Sequence, residues 1–298
     1  MTDTNNNFIM LPTVDVCFKG LMNNPKVRRG FIAALLKTDP KLVEETRLLP
    51  TALRQEYPDD KLGILDVRVI MADGTQIDME MQVAYFEYWD ARSLFYLGKI
   101  FTEQLKKGET YENLKKCIHV SILDFVRFEE DDQCCRTISF CDKNTGREYT
   151  DLMEIQILEL KKLPKDLKTD DEIISWMRFL GGKNRKEFED MAKTDEYIEE
   201  AYRKLEKMSA DEQTKLEYEA RERAIRDYNS QMNSALKRGV QRGIQQGIQQ
   251  GIQLGIHQER FALIRQMLAK GMQPGEIADL AGFSMEEIEE AKQEPKIR

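Results

Sequence analysis

The sequence predicts an α/β (α+β) fold, with a mixed central sheet flanked by helices and followed by an α-helical C-terminal region. Three observations carry that expectation. Residues 62–83, LGILDVRVIMADGTQIDMEMQV, contain two runs of period-two apolar alternation around Ala72-Asp73-Gly74, the pattern of a β-hairpin. A helical run from Tyr88 and an apolar, β-branched run from Cys117 to Phe125 come next, an order that builds a mixed sheet. From Asp170 onward the apolar spacing is helical.

Ahead of the hairpin, Asp15, Phe18, Leu21 and Met22 fall at helical spacing, and Pro25 precedes a second apolar helix from Val27 to Leu36. Both are expected to pack on the sheet. Residues 39–61 read as a connector containing Pro40, Pro50 and Pro58. Tyr88 to Lys107 reads as one helix stopped by Gly108. Trp89, Phe95, Leu97, Ile100, Phe101 and Leu105 form its buried face, while Tyr88, Arg92 and Tyr96, four apart, share another. His119 is out of phase with Ile118, Val120 and Ile122 and is read as structural, at the border of any site. Arg136 to Tyr149 reads as a hairpin around Lys143-Asn144-Thr145-Gly146, and Leu152 to Leu160 as a final strand before the basic connector KKLPKDLK.

In the C-terminal part, Ile173, Ile174, Trp176, Met177 and Leu180 mark a helix ending at Gly181-Gly182. Further helices are expected over Tyr197 to Met208 and from Ser209, with Glu212 completing a capping box. Gly239, Gly243, Gly247, Gly251 and Gly255 then recur every four residues, each followed by valine or isoleucine. Five glycines cost a helix on the order of 5 kcal/mol relative to alanine, a cost that something must offset, and close approach of another backbone along the glycine stripe would do so. The four-residue period drifts about 40° per step and favours a right-handed crossing. A homodimer or higher homo-oligomer through residues 237–258 is the expectation, and a partly ordered low-complexity spacer is the competing reading. The tail, residues 259–298, has helix-turn-helix spacing around Gly282 and Ser284. Its second helix carries Glu286, Glu287, Glu289 and Glu290, which would repel phosphates, so a structural helical hairpin is expected there. The domain expectation is therefore an α/β domain over 1–165, a helical region over 166–236, the repeat helix over 237–258 and the small helical tail.

Composition narrows the function classes. A net charge of −8 and a pI near 5.2 give no general nucleic-acid-binding surface, so any basic patch is local. Lys19, Lys26, Arg28 and Arg29, or Lys161, Lys162, Lys165 and Lys168, are the candidate clusters. Cys17, Cys117, Cys134, Cys135 and Cys141 are odd in number and lack a C-x-x-C pair, and only His119 and His257 accompany them. Neither a disulfide framework nor a zinc site is indicated. No apolar run reaches the roughly 18 residues of a membrane span, and MTDTNNNF lacks the parts of a secretion signal. A cytoplasmic protein with no membrane partner is expected.

The site rests on the hairpin. Ile77, Met79, Met81 and Val83 share one face of the second run, leaving Asp78, Glu80 and Gln82 on the other. A two-residue loop, Asp73-Gly74, would send Asp66 and Glu80 to opposite faces; the three-residue loop Ala72-Asp73-Gly74 pairs them. The second register is the expectation. A strand acid beside E-x-Q offers the oxygen donors that hard divalent cations take, with positions left for water and phosphate. The bland alternative is a solvated strand face. Asp15 can lean over the site from the first helix or serve only the helix dipole, and Arg92 can hold a phosphate or be structural.

Asp15-x-x-Phe18-Lys19, Asp66 in LDVRV, DGTQIDMEMQ and ARSLFYLGKIFTEQLKKGETYENLKKCIHVSILDF together resemble the recombination-promoting nuclease and putative transposase family, a bacterial branch of the PD-(D/E)XK nucleases. The resemblance spans roughly residues 8 to 165 and implies a restriction-endonuclease-like core. It implies a metal-dependent endonuclease that hydrolyses DNA phosphodiester bonds in bacterial recombination, mobile-element activity or defence. It places Mg²⁺ or Mn²⁺ on Asp66, Glu80 and the Met81 backbone carbonyl, with Gln82 and Asp15 completing the catalytic set. Gln82 stands where the superfamily usually carries lysine and offers neutral hydrogen bonds in its place. The competing functions are a catalytically degenerate interaction protein that oligomerises through its C-terminal helix, and a helix-turn-helix regulator.

Overall fold

The hairpin's alternation becomes the two faces of a six-stranded sheet in the structure, a computed structural model that describes residues 8–43, 46–53, 64–164 and 171–293. Leu62 and Gly63 of the hairpin run, and Lys165 and Lys168 of the basic connector, lie outside the described residues. The strands are β1 (Arg47–Leu49), β2 (Val67–Ile70), β3 (Gln76–Gln82), β4 (Cys117–Leu123), β5 (Cys135–Cys141) and β6 (Glu148–Glu159), in the order β1-β2-β3-β4-β6-β5. β3, β4 and β6 run parallel, and β2 and β5 pair antiparallel to their neighbours. This is the mixed sheet with flanking helices of a restriction-endonuclease-like α/β fold.

The apolar phase of the strands sets one face. Val67, Val69, Ile77, Met79, Met81, Ile118, Val120, Ile122 and Leu158 join one buried core with α1 (Asp15–Met22), α2 (Pro25–Leu36), α4 (Glu172–Gly181), α5 (Arg185–Ala192) and α6 (Glu196–Ala210). Asn24 starts α2 by accepting the Lys26 and Val27 amides, with Pro25 at the first turn where its missing N–H costs nothing. The opposite face is covered by α3 (Trp89–Thr102), whose Trp89, Tyr96, Leu97 and Ile100 pack on Cys117, Leu123, Ile155 and Ile157. Polar residues of β2, β3 and β4 are therefore covered too, and the solvated-face reading of β3 fails: Asp78, Glu80 and Gln82 are all buried.

Other boundaries differ from the sequence reading. α3 stops at Thr102, five residues short of Lys107, because the Gln104 side chain leaves the helical path to bond both the carbonyl and the amide of Lys115. The 39–61 connector contains β1, an edge strand against β2. The second arm of the 136–149 hairpin and the strand over 152–160 are one continuous β6. Ser209 ends α6 rather than capping the next helix: its Oγ donates to the Leu205 carbonyl and accepts the Met10 amide. α7 (Glu212–Ala269) starts after Asp211, which accepts the Thr214 amide and hydroxyl.

The chain divides into two compact units, Met1–Asp227 and Tyr228–Arg298. In the second, the last turns of α7 pack with α8 (Pro274–Ala281) and α9 (Met285–Gln293) through Phe261, Ile264, Ile277, Phe283 and Ile288. Gly282 takes the left-handed conformation at φ 68° that ends α8. Ser284 and Glu287 cap α9 reciprocally, and Arg260 grips Glu287 with two hydrogen bonds of 3.0 Å.

Candidate active site

The turn decides the site. Met71 and Thr75 bracket the loop, the Met71 amide donating to the Thr75 carbonyl, and Gly74 at φ 90° accepts the left-handed geometry that a Cβ would oppose. Asp73 steadies the loop by accepting from the Thr75 amide and hydroxyl. The strands then pair Val67 with Met79, Arg68 with Asp78 and Val69 with Ile77. One further step of the same register sets Asp66, just before β2, across from Glu80.

Asp66 is half-buried and anchored. Its Oδ2 accepts the Met81 amide at 3.1 Å, and its Oδ1 lies 3.0 Å from Lys19 Nζ, which reaches over from α1. Glu80 is 1% exposed. Its Oε2 accepts from Arg92 Nη2 at 2.9 Å and from Gln82 Nε2 at 3.0 Å, while Oε1 has no hydrogen-bond partner among the described residues. Burial raises the Glu80 carboxyl to about 7, with the neighbouring Asp78 charge adding to the rise.

Beneath Glu80 lies a buried chain that sequence reasoning did not assemble. Asp78 Oδ2 is 2.6 Å from His119 Nδ1, and His119 Nε2 is 3.0 Å from Ser121 Oγ. β3 and β4 pair Asp78 with His119 and Glu80 with Ser121, so all four share the α3 side of the sheet. Burial raises the Asp78 carboxyl despite its hydrogen bond to His119. Burial opposes the His119 charge, but the hydrogen bond to Asp78 and the carboxylates of Asp78 and Glu80 outweigh it and lift the imidazole above its ordinary value. The signal was available in the common phase of Asp78 with Glu80 and of His119 with Ser121.

Arg92 joins the centre through Glu80, its guanidinium stacked on Tyr96 and Phe86 at 5.1 and 5.6 Å. Tyr88, the third member of that four-residue series, is exposed. Asp15 meets Arg221 at 2.9 Å and Lys19 at 3.9 Å, so Lys19 stands between it and Asp66. The sequence reading placed Lys19 in the Asp15-x-x-Phe18-Lys19 motif and among the candidate DNA contacts without pairing it to Asp66, from which it lies 3.0 Å. Of the other basic candidates, Arg28 is buried on Thr46 and the Met22 carbonyl. Lys162 is buried on Glu159 at 3.0 Å. Neither presents its charge to a partner molecule. Lys26 pairs with Glu196 and Lys161 with Asp124 at the surface.

Two adjacent carboxylates, one with an oxygen lacking a protein donor, suit a hard divalent cation that keeps several waters. The described residues contain no group of three or more histidine, cysteine, aspartate or glutamate side chains arranged for a metal. A cation here would therefore rest on Asp66 and Glu80 plus backbone and solvent oxygens, with Lys19 and Arg92 yielding their present contacts. No helix among the described residues is long and apolar enough to cross a membrane.

Residues 12–235 match the family model described as PD-(D/E)XK nuclease family transposase, a span containing every strand of the sheet. No curated protein and no solved structure matches the chain.

Proposed function

Because the chain belongs to the PD-(D/E)XK nuclease family transposases, we propose that it is a divalent-metal-dependent DNA endonuclease hydrolysing phosphodiester bonds in bacterial recombination, mobile-element activity or defence. The observation that carries this reading is the register that, extended one step past Val67–Met79, brings Asp66 across from Glu80, whose Oε1 has no hydrogen-bond partner among the described residues. In this reading Asp66 and Glu80, with the Met81 carbonyl, hold Mg²⁺ or Mn²⁺. When bound, the cation supplies charge neutralisation at the phosphate and lowers the pKa of water.

The chain's own groups do the rest. The Met81 amide fixes one oxygen of Asp66, and Gln82 fixes one oxygen of Glu80. Gln82 offers a neutral donor, so the charge it lacks comes from Lys19 on α1 and Arg92 on α3, both 38% exposed and able to meet a phosphate. Asp15 acts through Lys19, holding the ammonium beside the acids. α1 is a firm mount for it, since Cys17, Phe18, Leu21 and Met22 are fully buried.

A second copy of the chain is the proposed partner of residues 237–258. Val240, Ile244, Ile248, Ile252 and Ile256 are 54–58% exposed, and a Cβ added at any glycine of the repeat would meet no other group of the described residues within 4 Å. That face is open to close helix approach.

Plasmid cleavage tests the enzymatic reading. Purified protein with Mg²⁺ or Mn²⁺ should nick or linearise supercoiled DNA, and Asp66→Ala and Glu80→Ala should lose at least about a hundredfold in rate. Intact plasmid, or cleavage by either variant at the wild-type rate, rejects it. The ion pairs that Lys19 and Arg92 make with both carboxylates favour a second reading, a nuclease fold neutralised internally and kept for interaction. That reading requires no Mg²⁺ uptake in a calorimetric titration.

A further inference from the structure

Away from the acidic centre, three sulfur atoms form a contact chain through Cys135 where β5 begins. Cys134 Sγ and Cys135 Sγ are 3.8 Å apart, and Cys135 Sγ is 3.3 Å from Met177 Sδ on α4. Adjacent strand residues ordinarily point to opposite faces. Here Cys134 precedes the first β5 residue, and the departure from strand geometry brings the two thiols to one side. The backbone is fixed on both sides of the turn: the Cys134 carbonyl accepts the Glu159 amide at 2.8 Å, and Cys135 pairs with Leu158 in the ladder. Met177 is fully buried and the cysteines are half-buried. The sulfurs are thus held by the sheet on one side and a core helix on the other.

We infer that Cys134, Cys135 and Met177 form a binding site for a soft monovalent metal ion, Cu(I). Thiolates and a thioether select Cu(I) over hard cations, which take oxygen. The zinc alternative lacks a third ligand beyond the two thiols, since no group of three or more histidine, cysteine, aspartate or glutamate side chains is arranged for a metal among the described residues. Metal–sulfur bonds of roughly 2.3 Å place the sulfurs of a trigonal site about 4 Å apart. The Cys134–Cys135 spacing already fits. The Cys135–Met177 contact must open by about 0.7 Å, which the flexible methionine side chain allows.

An entry path exists. Both cysteines line an open cavity of about 880 Å³ whose wall also carries Glu129, Asp131, Asp132 and Asp171, against Lys161 and Lys162. Asp131 is committed to Arg136 and Lys162, yet acids outnumber bases along the wall. A cation is favoured at its mouth over an anion. Binding exchanges the two thiol protons for one Cu(I), releases those protons to solvent and leaves the oxidation state of sulfur and copper unchanged.

Competition against bicinchoninate under anaerobic, reducing conditions tests the site with Cu(I) alone and the full-length protein. The wild type should withdraw one equivalent of Cu(I) from the coloured chelate, and Cys141→Ser, which alters an exposed thiol outside the trio, should do the same. The double variant Cys134→Ser/Cys135→Ser should withdraw none, with Cys17 and Cys117 still present as buried controls. Met177→Leu, which keeps the core volume, should bind at least about tenfold more weakly. Copper should also raise the thermal midpoint of the wild type and not of the double variant, because it ties β5 to α4. No withdrawal by the wild type, equal withdrawal by the double variant, or recovery of a Cys134–Cys135 disulfide in place of bound copper overturns the assignment.

Discussion

Replacing Glu80 by glutamine should remove a pH-dependent load from the metal-free protein. Glu80 is 1% exposed, and burial first, then the Asp78 charge, raises its carboxyl from 4.5 to about 7. Between those values the folded state binds more protons than the unfolded state, so stability falls as pH rises through the window. Lifting the carboxyl to about 7 corresponds to about 3 kcal/mol, present as a penalty above pH 7 and absent below pH 4.5. Urea unfolding of wild type and Glu80→Gln in chelator, from pH 5 to 8.5, reads the difference directly. The wild type should lose about 2.5 kcal/mol more than the variant across that range, which begins above the unfolded value. Parallel stability curves would refute the account of Glu80 as a carboxylate destabilised by its surroundings. So would a variant that loses more stability with rising pH than the wild type.

Other perturbations test the scaffold and the cations around the site. Lys19→Met removes an ammonium 3.0 Å from Asp66, so divalent affinity in calorimetry should rise roughly tenfold, about 1.4 kcal/mol, while plasmid cleavage falls; unchanged affinity would detach Lys19 from the site. Arg68 lies buried between Gln76 and Glu103, and Arg68→Ala should cost about 3 kcal/mol in urea unfolding by removing the buried guanidinium and its bonds to both side chains. Gly30→Ala would gain up to about 1 kcal/mol of helix propensity. Its Cβ would also lie 2.4 Å from Tyr197 Cβ, where α2 meets α6. The clash should win, lowering the urea midpoint by an equivalent of about 1–3 kcal/mol.

The hairpin and its register were legible because the controls are local: the loop residues, the left-handed glycine and the two-residue phase all lie within a few positions of one another. The same holds for α2, where Asn24 and Pro25 announce the start. What escaped was set by distant partners. α3 ends early because Gln104 bonds to Lys115, and nothing between Thr102 and Gly108 shows that pairing. β1 is three residues long and gains strand form only by adding to β2. The polar face of β3 looks solvated until α3 covers it, and only then do Asp78, His119 and Ser121 become a buried chain. Lys19 is one more surface lysine in the sequence; the packing of α1 brings it to Asp66. The phase that brings Asp66 and Glu80 side by side was readable from the strands, whereas the cations beside them depend on helices docked from elsewhere.

The central claim is that Asp66 and Glu80 together hold a divalent ion, and the anomalous scattering of Mn²⁺ in crystals of the protein addresses it most directly. The account predicts one peak at roughly 2.1 Å from a carboxylate oxygen of Asp66 and from Glu80 Oε1, with the ammonium of Lys19 displaced from Asp66. Saturating Mn²⁺ with no peak between the two carboxylates, and with Lys19 and Arg92 still on Asp66 and Glu80, would contradict it.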